Sequence, residues 1–333
     1  MLGNLVNLDY IYEYFMRETK SNSQIINELV DRFDVIPDAS LSNFTSFQVG
    51  GNTPALIQCR TLNDLVDTIC YLNQKQLSFL VIGQGTNLLV SDKGVEQIIV
   101  RFCNEEASYI KKTDEIITVG GEILLDELVI RANEIGLGDL SYLSGIPGTV
   151  GGAIVGNAGA FGEQIGDVLQ RAELLSYSGF RRWVSHEELN FAYRTSALKE
   201  SREVLLRAEL KVAKIDKVKA NERRNEILQL RENKHPNWKI EPCAGSIFRN
   251  IEPTSAAGRR QAAGWFLEES GAKLLSEGKA SLYSKHANII IAEAGATATD
   301  IYRLSEKMKH AVKEVFNLNL QREIRLLGKF PKE

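Results

Sequence analysis

Between Gly145 and Gly162 the chain reads GIPGTVGGAIVGNAGAFG, seven glycines in eighteen positions of a 333-residue protein with 26 glycines in all. Backbone without Cβ atoms takes φ > 0 without strain and can lie closer to a neighbour than any segment that carries side chains. A run of this kind offers either a concave row of N–H groups for a phosphate or a flat ring, or a set of tight turns between short strands. Pro147 stiffens its beginning. Asn157, Ala158 and Gly159 bring almost nothing that could fill a core, and both details favour the cradle.

The periodicity on either side predicts an α+β protein. PALIQCR from Pro54 reads as a strand, TLNDLVDTICYLNQKQ from Thr61 as an amphipathic helix, and LSFLVIG from Leu77 as a buried strand, together a β-α-β unit. EQIIVRF and EIITVGG read as further strands, and LLDELVIRANEIGLG as a helix ending near Gly136 and Gly138. After the glycine run come the strand candidates ELLSYS, RRWVS and EVLLRAELKV. Ahead of all this lies an N-terminal extension, residues 1–40, with two helical stretches, the second being SQIINELVDRF behind the cap Ser23.

Composition shifts near residue 214, where the charged helix KIDKVKANERRNEILQLRENKHP begins, and this predicts a separate C-terminal domain over 214–333. Its acidic residues are mixed with basic ones and no aromatic residues interleave, so the charges read as a solvated face with Ile227, Leu228 and Leu230 turned inward. The net charge of −3 leaves no basic field for nucleic acid or an anionic membrane. Nowhere do about 18 apolar residues run together, and the first twenty lack a basic stretch followed by an apolar one, so a cytoplasmic protein is expected. Cys59, Cys70, Cys103 and Cys243 lack metal-site spacing and read as buried thiols, and no metal is expected.

A second glycine loop, Gly83-Gln84-Gly85-Thr86-Asn87, follows a predicted strand. It is not a dinucleotide fingerprint, since it lacks the third glycine and the helix that should follow, and Leu88, Leu89 and Val90 continue as a strand-like run. Nor does it end in the Gly-Lys-Ser/Thr of a nucleotide P-loop. What remains are amides that could meet a pyrophosphate without a lysine.

The two loops together resemble the FAD-binding domain of the vanillyl-alcohol-oxidase (PCMH) type. Eight pieces, the two loops among them, narrow the resemblance: Asn43 to Gly51, the GQGTN loop, GIPGTVGG, Asn157 to Gly162, Tyr193-Arg194-Thr195-Ser196 and Ala244 to Asn250, with Lys285-His286-Ala287-Asn288 and Glu323-Ile324-Arg325 behind them. In that order they are similar to the UDP-N-acetylenolpyruvoylglucosamine reductase family. The resemblance covers about residues 43 to 328 and implies an FAD-binding domain over 41–213, in α/β subdomains of about 41–102 and 103–213. A C-terminal α/β substrate-binding domain would follow, with the last strand, about 319–328, packing back on the FAD domain.

It further implies non-covalent FAD, NADPH as co-substrate and reduction of an enolpyruvyl UDP-sugar in peptidoglycan precursor synthesis. Neither glycine segment contains His or Cys, which agrees with a non-covalent flavin. Cofactor contacts are implied at Gly83, Gln84, Gly85, Thr86, Asn87 and Leu88, at Gly145, Ile146, Pro147, Gly148, Thr149 and Gly152, and at Asn157, Ala158 and Gly159. Arg194 would hold the substrate carboxylate, Ser246 would protonate the carbon beside it, and Glu323 would stabilise the intermediate as a protonated hydrogen-bond donor. Tyr193, Lys234, Asn250 and His286 would bind substrate.

Taken one at a time, these residues have plainer readings. Arg194 lies among Lys199 and Glu200 and reads equally as a surface ion pair, Ser246 as a turn residue, Glu323 as a solvent-facing partner of Arg322 or Arg325, Lys234 as the solvated end of the charged helix, and His286 as a polar strand end. Two other functions stay open on sequence: a flavin enzyme oxidising another alcohol or sugar, and a module that binds FAD or a UDP-sugar without turnover. The short, Tyr-free stretch from Arg194 to Lys234 resembles the subgroup of the family that lacks a closing loop. Gln48, Ile251 and Lys279 depart from the family's usual basic residue, proline and glycine.

Overall fold

The apolar alternation of residues 54–60 and 96–102 has both of its phases buried, and this decides how the first sheet is built. The computed structural model describes residues 24–104, 110–252 and 260–331. The first expected helical stretch and the Ser23 cap lie outside the described residues. Residues 24–30 form helix α1. Strands β1 (Val35–Ser40) and β2 (Asn52–Cys59), helix α2 (Leu62–Gln74) and strands β3 (Phe79–Ile82), β4 (Leu88–Val90) and β5 (Ile98–Phe102) follow.

Sheet order is β1-β2-β5-β3. The expected β-α-β unit is therefore opened by β5, which lies between β2 and β3 and is parallel to both. One phase, Ala55, Ile57, Cys59, Ile98, Val100 and Phe102, packs with Leu29, Leu65 and Ile69 from the helices. The other phase, Leu56 and Ile99, packs with Leu41, Val90 and Leu327. Parallel strands need both faces covered, and these residues supply the cover. Helix α2 starts where Thr61 and Asp64 close a capping box.

The middle of the chain adds β6 (Ile110–Thr113), which sequence reading missed, then β7 (Ile116–Gly120) and α3 (Leu125–Ile135). It continues through α4 (Val150–Gly156), β8 (Gly159–Ala160), β9 (Glu163–Gln164), β10 (Leu169–Leu175), β11 (Arg181–Ser185), α5 (Leu198–Ser201) and β12 (Val204–Lys211). An antiparallel sheet of order β11-β10-β12-β7-β6 shares a core with α3 and α4. Leu175 and Leu206 of this sheet reach into the core under α2 and join the two sheets.

Helix α4 shows that the glycine run is not all loop. Thr149 caps it by accepting the Gly152 N–H at 3.2 Å, and Asn157 ends it in the left-handed conformation. A Cβ at Gly151 would sit 3.0 Å from the Gly121 carbonyl oxygen, so close helix–strand packing selects glycine here against its poor helix propensity.

The C-terminal part contains α6 (Lys217–Lys234), α7 (Ala263–Glu269), β13 (Ser276–Glu277), β14 (Ala280–Tyr283), β15 (His286–Ala292), α8 (Ala298–Phe316) and β16 (Arg325–Leu327). On α6, Ile227 is buried and Leu228 half-buried, but Leu230 is 46% exposed, since the helix turns that position away from its one line of contact. Helix α8 is capped by Thr297 and buries Ile301, Leu304, Met308 and Val312 at helical spacing. Asp92, just beyond β4, accepts hydrogen bonds from the amides of Ala298 and Thr299 at 2.7 and 2.9 Å, which ties this part to the first sheet. The last strand is only Arg325–Leu327 and runs parallel to β4. Of the cysteines, Cys59, Cys103 and Cys243 are buried, but Cys70 is exposed because α2 turns Leu65, Thr68, Ile69 and Leu72 inward instead. Among the described residues no helix is long and apolar enough to cross a membrane.

Candidate active site

The glycine loops meet. Thr86 Oγ1 donates to the Pro147 carbonyl at 3.1 Å, and a Cβ at Gly83 would lie 2.6 Å from Thr149 Oγ1. From the other side Ser46 Oγ donates to the Thr86 carbonyl at 3.1 Å, and a Cβ at Gly85, whose φ is +76°, would lie 1.9 Å from the Phe44 carbonyl oxygen. Only glycine fits at that point. Among the described residues the amides of Gln84, Gly85, Thr86 and Gly148 donate to no protein acceptor. Two adjoining backbone loops with free N–H groups and no room for side chains between them fit the pyrophosphate of an FAD. Asn157 does something else: its amide spans Gln164, Ala192 and Gly166 at 2.9 to 3.0 Å, so its side chain shapes the wall and is already satisfied within the protein.

The same loops touch the end of the chain. Asn87 Nδ2 donates to the Glu323 carbonyl at 3.1 Å and the Arg325 N–H to the Asn87 carbonyl at 2.9 Å, so the pairing of β16 with β4 brings Glu323 beside the cradle. Residues Ser246 to Arg249 run between this segment and β15: the Glu323 N–H donates to the Ile247 carbonyl at 2.7 Å, and the Ile247 N–H to the Asn288 carbonyl at 2.8 Å. Asn288 also clasps both backbone groups of Phe248 with its amide. Ser246 is thus held on a paired, extended segment and is not a turn residue.

Arg194 completes the set. Its Nη2 donates to the Gly159 carbonyl at 2.9 Å, and its Nε lies 2.9 Å from Glu323 Oε1. The Nε approach is close but not along the N–H direction, and this buried atom makes no directed hydrogen bond. The guanidinium and the carboxyl lie close together, and one guanidinium donor stays unspent. Neither plain reading holds, since Arg194 pairs with Glu323 and not with a surface acid, and Arg322 pairs with Glu306. Burial pushes the Glu323 carboxyl above the usual range, while Arg194, Arg249 and Lys199 pull it back.

Of the residues expected to bind substrate, Tyr193 Oη accepts from the Asn250 N–H at 3.4 Å and stacks under Arg260 at 4.1 Å, and Asn250 Oδ1 accepts from the Ala263 N–H at 3.2 Å. His286 is half-buried, with Nδ1 accepting the Asn288 N–H at 3.2 Å, which leaves the ring's other nitrogen as the donor. Its ring centroid is 5.6 Å from that of His235, which directly follows Lys234 at the end of α6. Burial first, then Arg231 and His286, push His235 down to about 4. Lys279 is exposed in the β13–β14 turn, with its carbonyl accepting the Glu293 N–H, and among the described residues no site residue bonds to it.

Two further arginines belong here. Arg231 packs on Gly145, where a Cβ would be 3.0 Å from its Cδ, and its buried Nε has no acceptor among the described residues. Asp126, an acid whose charge acts on Arg231, is already taken by Arg224 at 2.6 Å and the Gly145 N–H at 3.1 Å. Arg249 likewise has a buried Nε without an acceptor. On sequence, Arg231 was one charge among many on α6; only its placement on the glycine run sets it apart. The cluster carries more positive than negative charge, which suits an anionic ligand. A separate groove of about 650 Å³, lined by Gln48, Glu241, Tyr283 and Glu293 among others, contains none of these residues.

Residues 53–185 match the family described as FAD binding domain, and residues 235–327 match the family described as UDP-N-acetylenolpyruvoylglucosamine reductase, C-terminal domain. The chain is similar to the UDP-N-acetylenolpyruvoylglucosamine reductase of Bacillus pumilus, at 32% identity over 88% of this chain and 94% of that protein. It is similar to that of Bacillus subtilis at 31% identity over 92% and 98%. The crystal structure of the Thermus caldophilus reductase superposes with a TM-score of 0.71 at 29% identity, covering 89% of this chain and 99% of that one. The matches agree with the expected architecture, an FAD-binding domain ahead of the C-terminal domain of this reductase family.

Proposed function

The chain belongs to the UDP-N-acetylenolpyruvoylglucosamine reductase family, and from that premise we propose that it uses NADPH to reduce the enolpyruvyl group of UDP-N-acetylglucosamine enolpyruvate, giving UDP-N-acetylmuramate. The observation that carries this reading is the meeting of Arg194, Glu323 and the Ser246 segment beside the glycine cradle. We place the reaction in the cytoplasm, as a step of peptidoglycan precursor synthesis.

The free amides of Gln84, Gly85, Thr86 and Gly148 would hold FAD, with the rest of Gly83 to Leu88 and Gly145 to Gly152 lining it closely and Asn157 to Gly159 forming a wall. When bound, FAD would supply hydride chemistry for reduction at the outer carbon of the enolpyruvyl group, with NADPH as the source of the electrons. The protein's own residues manage the charge and the proton. Negative charge develops on the neighbouring carbon and its carboxylate, and Arg194 holds that carboxylate by charge-assisted hydrogen bonds. Glu323, its carboxyl raised by burial, stabilises the enediolate-like species as a donor. Ser246 delivers the proton to the carbon; a hydroxyl is a weak acid in water, but a carbanion-like partner held close is basic enough to take it. Lys234, Tyr193, Asn250 and His286 receive the UDP-sugar, with Lys234 meeting the diphosphate as a point charge.

An acid at Ser246 and a carboxylate clamp at Arg194 favour reduction over oxidation of an alcohol, which needs a base to remove a proton. The test is direct. The purified protein should absorb in the visible as a flavoprotein, and it should oxidise NADPH when the enolpyruvyl UDP-sugar is added. A yellow protein inert to both reactants would instead mark a binding module.

A further inference from the structure

Arg194 has φ +56°, the left-handed conformation that a residue with a long side chain seldom takes. It sits in a tight turn in which Ala192 and Thr195 exchange both backbone hydrogen bonds at 3.1 Å. Two anchors follow it. Ser196 Oγ donates to the Val155 carbonyl at 2.9 Å, fastening the turn to α4, and Leu198 is buried at the start of α5. The next residue, Lys199, returns its ammonium to donate to the Arg194 carbonyl.

That placement is unusual for a lysine. Its side chain is exposed, so it could reach solvent, yet its ammonium lies among Arg249, Arg194 and Arg325 with only Glu323 of opposite sign. Partial loss of water around the ammonium, and then these cations, hold its pKa below the ordinary value. Among the described residues it makes no ion pair. A cation kept in an unfavourable field and bonded to a carbonyl is better explained by what that bond fixes than by charge pairing.

We propose that Lys199 is the positioning residue for Arg194: its hydrogen bond locks the left-handed backbone from which the Arg194 guanidinium reaches both Gly159 and Glu323. Without it the backbone relaxes towards φ < 0 and the guanidinium swings off the line on which it meets the substrate carboxylate. The inference rests on the reading of Arg194 given above. Misplacement of about 1 Å can cost about 100-fold in a positioned reaction.

The test compares wild type, Lys199→Met and Lys199→Arg as FAD-loaded proteins under anaerobic stopped flow. NADPH-driven bleaching of the flavin and its reoxidation by the enolpyruvyl UDP-sugar are followed separately. Lys199→Met should slow reoxidation by about 10- to 100-fold and leave bleaching unchanged. Lys199→Arg, which keeps a donor at that reach, should recover most of the loss. Should Lys199→Met fail to hold FAD, Lys199→Gln is read in the same assay with the same expectation. Reoxidation equal to wild type, slowing of both halves together, or no recovery by arginine would overturn the inference. A wild type that bleaches but is not reoxidised by this substrate overturns the reading of the site, and the inference falls with it.

Discussion

From Gly83 to Asn87 and from Gly145 to Gly152 the protein offers a ligand backbone; at Arg194, Ser246 and Glu323 it offers side chains. The first region draws on two short loops of the FAD-binding part, fitted so closely that a Cβ at Gly83 or Gly85 would strike Thr149 or Phe44. The second is assembled from three segments that are far apart in sequence, brought together by β16 lying beside β4 and by the Ser246 segment lying between β15 and Glu323. One region carries little charge and the other carries surplus cations. If the proposed function holds, the difference makes holding the cofactor and directing the reaction separable tasks, and substitutions should separate them.

The largest effect is expected in the cradle. Gly85→Ala puts a Cβ on the Phe44 carbonyl at a positive φ, and the protein should purify without its yellow flavin and lose at least about 2 kcal/mol of stability. Visible absorbance and a denaturant melt check both. A yellow Gly85→Ala protein would break the comparison, because the loops would then have room to spare.

Next in size, Arg194→Met should retain FAD and its reduction by NADPH, yet slow reoxidation by substrate by about 10²- to 10³-fold. Loss of flavin from this variant would mean that the two tasks share Arg194. Glu323 sharpens the distinction further. Glu323→Gln keeps a donor and should cost about 10-fold or less in reoxidation, whereas Glu323→Ala removes it and should cost more.

The raised carboxyl of Glu323 also fixes a sign. The folded state holds its proton more tightly than the unfolded state, so stability falls as pH rises from the ordinary carboxylate range through the raised value. Glu323→Gln should flatten that part of a stability–pH curve. His235 has the opposite sense. Its pKa is depressed to about 4, so the stability from burying it neutral is present above its ordinary 6.5 and is lost as pH falls through about 4. His235→Gln should flatten the acid limb with little change at pH 8, the smallest effect of the series.

Much of this was legible in the sequence because the signals are local. The amphipathic run that begins at Thr61 marked α2, and glycine density marked the cradle. The rest depends on contacts that no local pattern encodes. The insertion of β5 between β2 and β3 is a long-range pairing, and α4 forms in a glycine-rich stretch because packing on Gly121 outweighs propensity. Leu230 looks apolar and inward on the page but faces out, while Arg231, one charge among many on α6, packs on Gly145. Individually Arg194, Ser246 and Glu323 read as ordinary polar residues; their order along the chain carried the resemblance, and the pairing of Arg194 with Glu323 needed the fold.

The central claim is that Ser246 protonates the substrate and takes no part in loading the flavin with electrons. Anaerobic stopped flow on Ser246→Ala measures this most directly. The account predicts NADPH-driven bleaching at the wild-type rate and reoxidation by the enolpyruvyl UDP-sugar slowed by at least about 10²-fold. Equal slowing of both halves, or reoxidation at the wild-type rate, would contradict it.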